Sequence, residues 1–167
     1  MIEGIVSGVI SGIIASIAFF VFMQGIKPTL LVSDDINVVR DSGNLYTYKV
    51  KVVNKSKTEL TNVKYKLYYC EIHSNGFMIN MRELPPAKPP IFMMEKYNKG
   101  SQFAEYACRF SYEVDNEKYP IDDNHYFMFS ISAEHSVSNT MKSVTKKYFK
   151  ENVKVGQFET GVSLKIV

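Results

Sequence analysis

The sequence predicts an all-β domain, an antiparallel sandwich, preceded by one transmembrane helix. Two observations carry this prediction. Residues 4–26 contain no charged side chain, whereas the rest of the chain alternates apolar and polar residues in short runs separated by turn-forming residues. The chain has 167 residues, of which 46% are hydrophobic, enough for one packed domain and an appendage. We therefore divide it into residues 1–27, the helix, and residues 28–167, the β domain.

The uncharged segment 4–26 is long enough to cross a bilayer. At about 1.5 Å per residue, a helix of this length measures roughly 35 Å, against about 30 Å for the hydrocarbon core. A buried core helix and a cleaved signal peptide are the alternatives. Soluble helices of this length usually carry a polar stripe, which this segment lacks. A signal peptide has basic residues before its apolar segment, whereas no Lys or Arg precedes this one. We expect an uncleaved single-pass anchor in the cell inner (plasma) membrane.

The orientation of this anchor is predicted from the basic residues beside it. None lies on its N-terminal side, whereas Lys27 follows it directly and Arg40 lies a little farther along. Basic residues close to a transmembrane helix favour the cytoplasmic side. We therefore expect the C-terminal domain in the cytoplasm.

Small residues follow one face of the predicted helix. They recur three or four residues apart, a spacing that places them side by side on a helix. Close backbone approach over small residues drives helix association in lipid, where no hydrophobic force acts between helices. We expect self-association, or packing on a partner helix, through Gly4, Ser7, Gly8, Ser11, Gly12, Ala15 and Ser16. A lone tether without a partner is the alternative.

The rest of the chain has the periodicity of strands. Residues 46–52 and 63–69 alternate apolar and polar side chains around a polar turn at 54–57, which predicts an antiparallel hairpin. Proline-rich 84–90 and polar 115–125 are predicted loops. Further strands are predicted at 30–33, 77–81, 91–94, 103–110, 126–133, 141–149 and 162–166. Many short strands without a soluble helix are typical of an antiparallel sandwich, with a closed barrel as the alternative.

The segment YKVKVVNKSKTELTNVKYKLYY, residues 48–69, resembles the opening hairpin of bacterial immunoglobulin-like adhesion and cell-adhesion-related modules. In such modules one strand ends in V-x-N-x-S and the next carries N-V-x-Y. The order of anchor, Lys-Pro exit, hairpin and late VGQFETGVSL segment also resembles small uncharacterised bacterial single-pass membrane proteins. The resemblance implies an immunoglobulin-like sandwich and a membrane location, and it brings no catalytic residues.

The two cysteines are predicted to be free thiols. Cys108 falls on the apolar side of its predicted strand, together with Phe110, whereas Cys70 falls on the opposite side of its own strand from the apolar residues. Side chains on opposed faces are poorly placed for a disulfide.

Few residues carry catalytic chemistry, and the sequence lacks the common motifs of hydrolases, metalloproteases and nucleotide-binding enzymes. Residues 122–125 combine two aspartates with a histidine, a combination found in metal sites, but we favour a polar turn that leads into a strand. Glu134, His135 and Ser136, with Ser138 nearby, suggest acid–base or nucleophilic chemistry, but adjacent strand residues such as Glu134 and His135 point to opposite faces. His73 lies in a polar turn. We expect no enzyme activity, no catalytic residue, no metal site and no cofactor.

The densest basic cluster comprises Lys142, Lys146, Lys147, Lys150 and Lys154. Such a cluster suits anionic lipid headgroups or a phosphorylated ligand, and a solvated strand face is the alternative. The net charge of +3 argues against nucleic acid as a partner.

Together these features predict a membrane-anchored binding and assembly module. Its expected partners are the lipid bilayer, further copies of the chain through the helix, and a protein or small ligand of the sandwich. The alternative function is a membrane-perturbing effector of the bacterial defence type, in which the sandwich senses a ligand and clusters the helices.

Overall fold

The computed structural model describes residues 2–25, 27–41, 43–72 and 78–167. In these residues it contains one α-helix, nine strands and one 3-10 turn. They are α1 (Ile2–Gly25), β1 (Leu30–Val32), β2 (Ile36–Arg40), β3 (Leu45–Asn54), β4 (Leu60–Ile72), β5 (Met78–Leu84), β6 (Ala107–Asp115), β7 (His125–His135), β8 (Met141–Tyr148), the 3-10 turn (Lys150–Asn152) and β9 (Val153–Val155). The prediction of a β-rich domain behind one apolar helix is confirmed.

The strands form two sheets. In the first sheet, β3 pairs with β6 along one edge, and with β1 and β2, end to end, along the other. β9 extends this sheet by pairing with β2 in parallel. The second sheet has the order β5-β4-β7-β8, and every pair in it is antiparallel. β1 and β2 therefore act as one strand beside β3 that is interrupted at residues 33–35.

The two sheets enclose one hydrophobic core. Val50 and Phe110 enter it from the first sheet, and Leu67, Phe127 and Phe129 enter it from the second; all five are buried. The rings of Phe110 and Phe129 meet between the sheets with centroids 5.8 Å apart. Burial of a side chain of this size contributes about 1.5–3 kcal/mol, so the apolar alternation along β3 and β7 is what brings the sheets face to face.

The predicted hairpin between residues 46–52 and 63–69 is wrong. β3 pairs with β1, β2 and β6, whereas β4 pairs with β5 and β7 in the other sheet. Both strands have the predicted alternation, but an alternating strand specifies which face is buried and leaves its partner open. The chain between them therefore crosses from one sheet to the other.

This crossing is a buried corner built on Asn54. Its Nδ2 donates to the carbonyl of Thr58 at 3.0 Å and to that of Glu95 at 2.9 Å, and its Oδ1 accepts from the Ser56 amide at 2.8 Å. Asn54 is fully buried. In a solvent-exposed turn, water would form hydrogen bonds with these backbone groups; here the Asn54 side chain forms them instead. Leu60 then starts β4 and bridges Met94.

Several shorter predictions also differ from the structure. Residues 91–94 and 162–166 form no strands; each segment makes one isolated bridge, Met94 to Leu60 and Ile166 to Phe158. The prolines at 84–90 remove backbone donors and keep the following chain out of the sheets. β2 and β9 went unpredicted because both are short, and β2 directly follows a polar segment. Of the predicted strand 77–81, Phe77 lies outside the described residues.

The end of the chain covers the outer face of the first sheet, the face turned away from the core. Residues 157–167 fold back on themselves, with Gln157 and Val167 exchanging both backbone hydrogen bonds at 2.8 and 2.9 Å. We call this segment the C-terminal hairpin. Because it lies over β3, Lys51 and Val53 are as buried as their core-facing neighbours.

Replacing Asn54 by Ala should destabilise the domain by about 3 kcal/mol, because two carbonyls and one amide lose their buried partner. Thermal or urea unfolding of the full-length chain in detergent micelles measures this change. Asn44→Ala is the matched control, since the exposed amide of Asn44 bonds only the Glu117 carboxylate among the described contacts and its loss should cost less than about 0.5 kcal/mol. Equal unfolding midpoints for the two variants would contradict the role given to the corner.

Candidate functional site

The helix α1 contains one candidate membrane span, Gly4–Met23, with a mean hydropathy of 2.4 and no burial inside the structure. Its large apolar side chains, such as Ile13 and Phe20, are exposed. An exposed apolar surface of this kind needs lipid or a partner to cover it. Length and composition thus suit a membrane-spanning helix.

The small residues predicted to pack all lie on this helix and are exposed: Gly4, Ser7, Gly8, Ser11, Gly12, Ala15 and Ser16. A Cβ atom added at Gly4, Gly8 or Gly12 would meet nothing within 4 Å. The Ser11 hydroxyl donates to the Gly8 carbonyl at 3.0 Å, and the Ser16 hydroxyl donates to the Gly12 carbonyl at 2.8 Å. Since both hydroxyls have partners within the helix, backbone contact is the main attraction that this face offers.

The connection from the helix to the β domain is short and fixed at its far end. Pro28 is already buried, the Thr29 amide donates to the Ser56 hydroxyl at 2.9 Å, and the Lys55 amide donates to the Thr29 carbonyl at 2.8 Å. The three Cα–Cα steps from Gly25 to Pro28 can span at most roughly 11 Å. The end of the sandwich that holds Ser56 therefore lies close to the end of the helix.

The predicted basic cluster is distributed over both faces of β8 and beyond it. Lys142 and Lys146 pair with Ala133 and Phe129 of β7, whose side chains are in the core, and Lys147 points to the other face. Lys150 belongs to the 3-10 turn and Lys154 to β9.

Three of these lysines have partners of their own. Lys146 forms an ion pair with Asp34 at 2.5 Å, which joins β8 to the interruption between β1 and β2. The Lys147 ammonium lies 5.3 Å from the ring centre of Tyr126, and Lys150 lies 3.7 Å from a carboxylate oxygen of Asp123. The cluster is thus made of separate contacts and presents no single basic face.

Residues 122–125 form a hydrogen-bonded turn at the start of β7. The Asp122 carboxylate lies 2.6 Å from His125 Nδ1 and accepts the Asn124 amide at 2.8 Å. These bonds, the one to His125 first, lower the pKa of Asp122 below its ordinary value. The described residues contain no group of three His, Cys, Asp or Glu side chains placed to hold a metal ion.

His135 braces the turn after β7 against the Asn54 corner. Its Nδ1 accepts the Ser138 amide at 3.2 Å, so its Nε2 carries the proton and donates to the Thr58 hydroxyl at 2.6 Å. Glu134 points elsewhere and accepts from the Asn62 side chain at 2.8 Å. The predicted divergence of Glu134 and His135 is confirmed. His73, predicted to lie in a polar turn, is outside the described residues.

Both cysteines are free thiols, as predicted. Cys70 is fully buried, and desolvation raises its pKa. Cys108 is half-buried, and burial raises its pKa to about 11. Since a thiol reacts as its thiolate, both are expected to react slowly in the folded protein.

The structure gathers a different set of basic residues beside the C-terminal hairpin. Two clefts of about 390 and 220 Å³ lie there, and Lys88 and Arg109 line both. Lys51 lines the larger cleft and Lys49 the smaller. We call the two together the cationic cleft, since the described residues that line it include four cations and no carboxylate. A third cleft, of about 270 Å³, mixes Glu71 with Arg82 and Lys118.

The cationic cleft arises from the register of the first sheet. Lys51 of β3 lies directly opposite Arg109 of β6, and Lys49 lies opposite Ser111. Like charges in directly opposed positions destabilise a strand pair. None of the four cations forms an ion pair within the described part of the chain.

Lys51 is the most constrained of these cations. It is 1% exposed, and its ammonium donates to the carbonyls of Glu159 at 2.6 Å and Ser163 at 2.7 Å. Desolvation lowers its pKa, the neighbouring Arg109 lowers it further, and Glu159 acts in the opposite direction. Arg109 in turn donates to the Phe158 carbonyl at 3.1 Å, so both cations fasten the C-terminal hairpin to the sheet.

No direct signal for this cleft is present in the sequence. Lys49 and Lys51 follow the polar positions of an ordinary half-buried strand, and Arg109 and Lys88 lie far from them along the chain. The pairing of β3 with β6 brings Arg109 to Lys49 and Lys51, and the hydrogen bond from the Ala87 amide to the Ser111 carbonyl holds the segment that carries Lys88 beside them.

No protein-family model matches the chain, and no curated protein matches it.

Replacing Lys51 by Met should loosen the C-terminal hairpin, because two buried carbonyls lose a charged donor while the methylene stem is kept. We expect hydrogen exchange at the Gln157, Glu159 and Val167 amides to accelerate by about tenfold or more. Mass spectrometry of the full-length chain in micelles measures it. Lys49→Met is the control, since no described hydrogen bond to the hairpin is lost there. Unchanged protection in the Lys51 variant would contradict its role as a fastener.

Proposed function

We propose that the protein is a non-enzymatic, membrane-anchored β-sandwich module for binding and assembly. The observation that carries this proposal is α1, an exposed apolar helix of membrane-spanning length that leads within a few residues into a folded two-sheet domain. The apolar side chains of α1 are not covered by the β domain, so they contribute nothing to its core. Such a surface suits an uncleaved membrane anchor, in which lipid covers it. The anchor would hold the sandwich at the bilayer surface.

The strand order supports an immunoglobulin-like sandwich, as the sequence resemblance implied. In that fold, strands A, B and E share one sheet, and C, F and G share the other, with an added strand beside C in some members. Here β1, β3 and β6 share one sheet, and β5, β4, β7 and β8 form the other in the corresponding order. Strands B and C of that fold lie in opposite sheets, which agrees with the corner at Asn54. We further propose that the protein belongs with the small bacterial single-pass membrane proteins that its sequence resembles.

The polar clusters support a binding role over catalysis. His135 and His125 each make short hydrogen bonds that organise a turn, and the imidazole of His135 is buried. A catalytic base needs access to a substrate proton. Both histidines are accounted for as structural groups.

Self-association is proposed through the small-residue face of α1. Gly4, Gly8 and Gly12 leave the backbone bare along one side of the helix, so a second helix could approach closely and gain dispersion contacts that Ile or Phe would prevent. Further copies of the chain and the lipid bilayer are the partners of this segment. The sandwich remains free to bind a separate partner.

We place the anchor in the cell inner (plasma) membrane, with the sandwich in the cytoplasm. The support is the distribution of basic residues, with exposed Lys27 directly after the helix and Arg40 close behind. Lys27 lies in the connection to β1 and Arg40 ends β2, so the same side of the membrane receives the whole β domain.

Gly8→Ile together with Gly12→Ile should reduce crosslinked dimer by about fivefold or more, because the added side chains separate the backbones. The measurement is chemical crosslinking in membranes washed with alkaline carbonate, which also tests retention of the anchor. The matched control is Val6→Phe together with Ile10→Phe, which adds bulk to the opposite side of the helix and should leave the dimer unchanged. Equal dimer in both double variants would remove this interface from the proposal.

An exposed thiol should report the side on which the domain lies. Cys70 is unsuitable because it is fully buried, so we choose Asp123→Cys, at a side chain that is 92% exposed, in a Cys108→Ala background. We expect an impermeant maleimide to label it only after the cells are permeabilised. Labelling of intact cells would reverse the orientation, and the buried Cys70 reports background reaction.

A further inference from the structure

We propose that the cationic cleft is a binding site for a phosphate-bearing ligand. Lys49, Lys51, Lys88 and Arg109 line it, and no carboxylate lines it among the described residues. Surface cations in folded proteins usually have carboxylates interspersed among them. A concave site with cations only is therefore complementary to an anion.

The arrangement of Lys51 and Arg109 favours an anion of high charge. The two side chains lie directly opposite one another, and Lys51 is buried. In the described part of the chain, both donate hydrogen bonds to backbone carbonyls. Carbonyl dipoles satisfy these hydrogen bonds without supplying a net negative charge, and the attraction of Lys51 to Glu159 is smaller than its repulsion by Arg109. A dianion placed between the cations would offset their repulsion.

The donors suit a phosphate group. The guanidinium of Arg109 uses one nitrogen for the Phe158 carbonyl and retains donors on the rest of its planar fork, which matches the oxygens of a phosphate. Lys88 is exposed and Lys49 is half-buried, so both are free to adjust to further oxygens. A phosphate presents several oxygens in different directions and needs donors from more than one strand, as here.

The size and rim of the cleft point to an organic phosphate. A volume of about 390 Å³ lies within the range of small-molecule sites, about 300–1,000 Å³, and exceeds what one inorganic phosphate fills. Phe103 lines the same cleft and is 84% exposed, so it offers an aromatic surface to the remainder of the ligand. Gln102 adds a neutral hydrogen-bonding group at this rim.

The position of the cleft allows two sources for the phosphate. Ala107 lines the cleft and pairs with Val53. Val53 directly precedes Asn54, which pairs with Leu30 at the start of β1. The cleft therefore reaches the end of the sheet at which the chain arrives from α1. A soluble phosphorylated molecule and a lipid headgroup can both reach this end. The second source rests on the proposed membrane anchoring, whereas the charge argument does not.

The test uses the full-length chain in nanodiscs of phosphatidylcholine, with pyrophosphate and ATP as soluble probes in calorimetric titrations. Lys49→Gln together with Lys88→Gln removes two cleft charges that make no described hydrogen bond, and we expect the dissociation constant to rise by at least about tenfold. Lys57→Gln together with Lys64→Gln removes two exposed charges that do not line the cleft and is the matched control, with an expected change below about twofold. Equal weakening in both variants would reduce the site to general electrostatics and overturn the proposal.

A second arm distinguishes the sources. Acylation of Lys88 by an amine reagent is followed by mass spectrometry in nanodiscs with and without phosphatidylglycerol. Protection by the soluble probes assigns a free phosphorylated ligand, and protection by phosphatidylglycerol that the Lys49→Gln variant loses assigns a lipid headgroup. Absence of both kinds of protection and of saturable probe binding overturns the proposal. The crosslinking of α1 is independent of these results, so the binding site and the anchor can fail separately.

Discussion

The side chain of Asn54 is the constraint on which the two-sheet arrangement depends. It ends β3 inside the protein, where the Ser56 amide and the carbonyls of Thr58 and Glu95 would otherwise lose this partner. Because one amide satisfies groups on three different residues, the chain can change sheets without water at the turn. β4 then begins at Leu60 in the second sheet, and the two apolar faces come together as one core.

The features that could be predicted from the sequence are local ones. Residues 4–26 are uncharged and long, so the helix and its exposed apolar surface follow from composition alone. The alternation in β3 and β4 correctly identifies their core-facing side chains, because the pleat has a period of two. The partner of each strand is a non-local property. The turn-like residues 54–57 suit a hairpin as well as a corner, and only the burial of Asn54 separates the two.

The candidate site could not be predicted for a related reason. Lys51 has the pattern of a solvated strand residue, and it is buried because a segment near the end of the chain folds over it. Its proximity to Arg109 depends on the register of β3 against β6. The run of lysines from Lys142 to Lys150 shows the converse: the residues are adjacent in sequence, but the strand directs Lys146 and Lys147 to opposite faces. In a β protein, residues that cluster along the chain need not cluster in space, and residues that cluster in space need not be close along the chain.

The C-terminal hairpin links the stability of the fold to the chemistry of the cleft. At its base Gly156 has a φ of 144°, and a Cβ there would lie 2.4 Å from the Val167 carbonyl oxygen, so glycine alone allows the chain to return this closely. The Asn37 amide donates to the Gly156 carbonyl at 2.7 Å, while Lys51 holds the far end. An anion in the cleft would lower the repulsion between Lys51 and Arg109 and leave their carbonyl partners in place. Since both cations fasten the hairpin, such a ligand binds the docked hairpin more tightly than the open one and shifts the equilibrium toward docking.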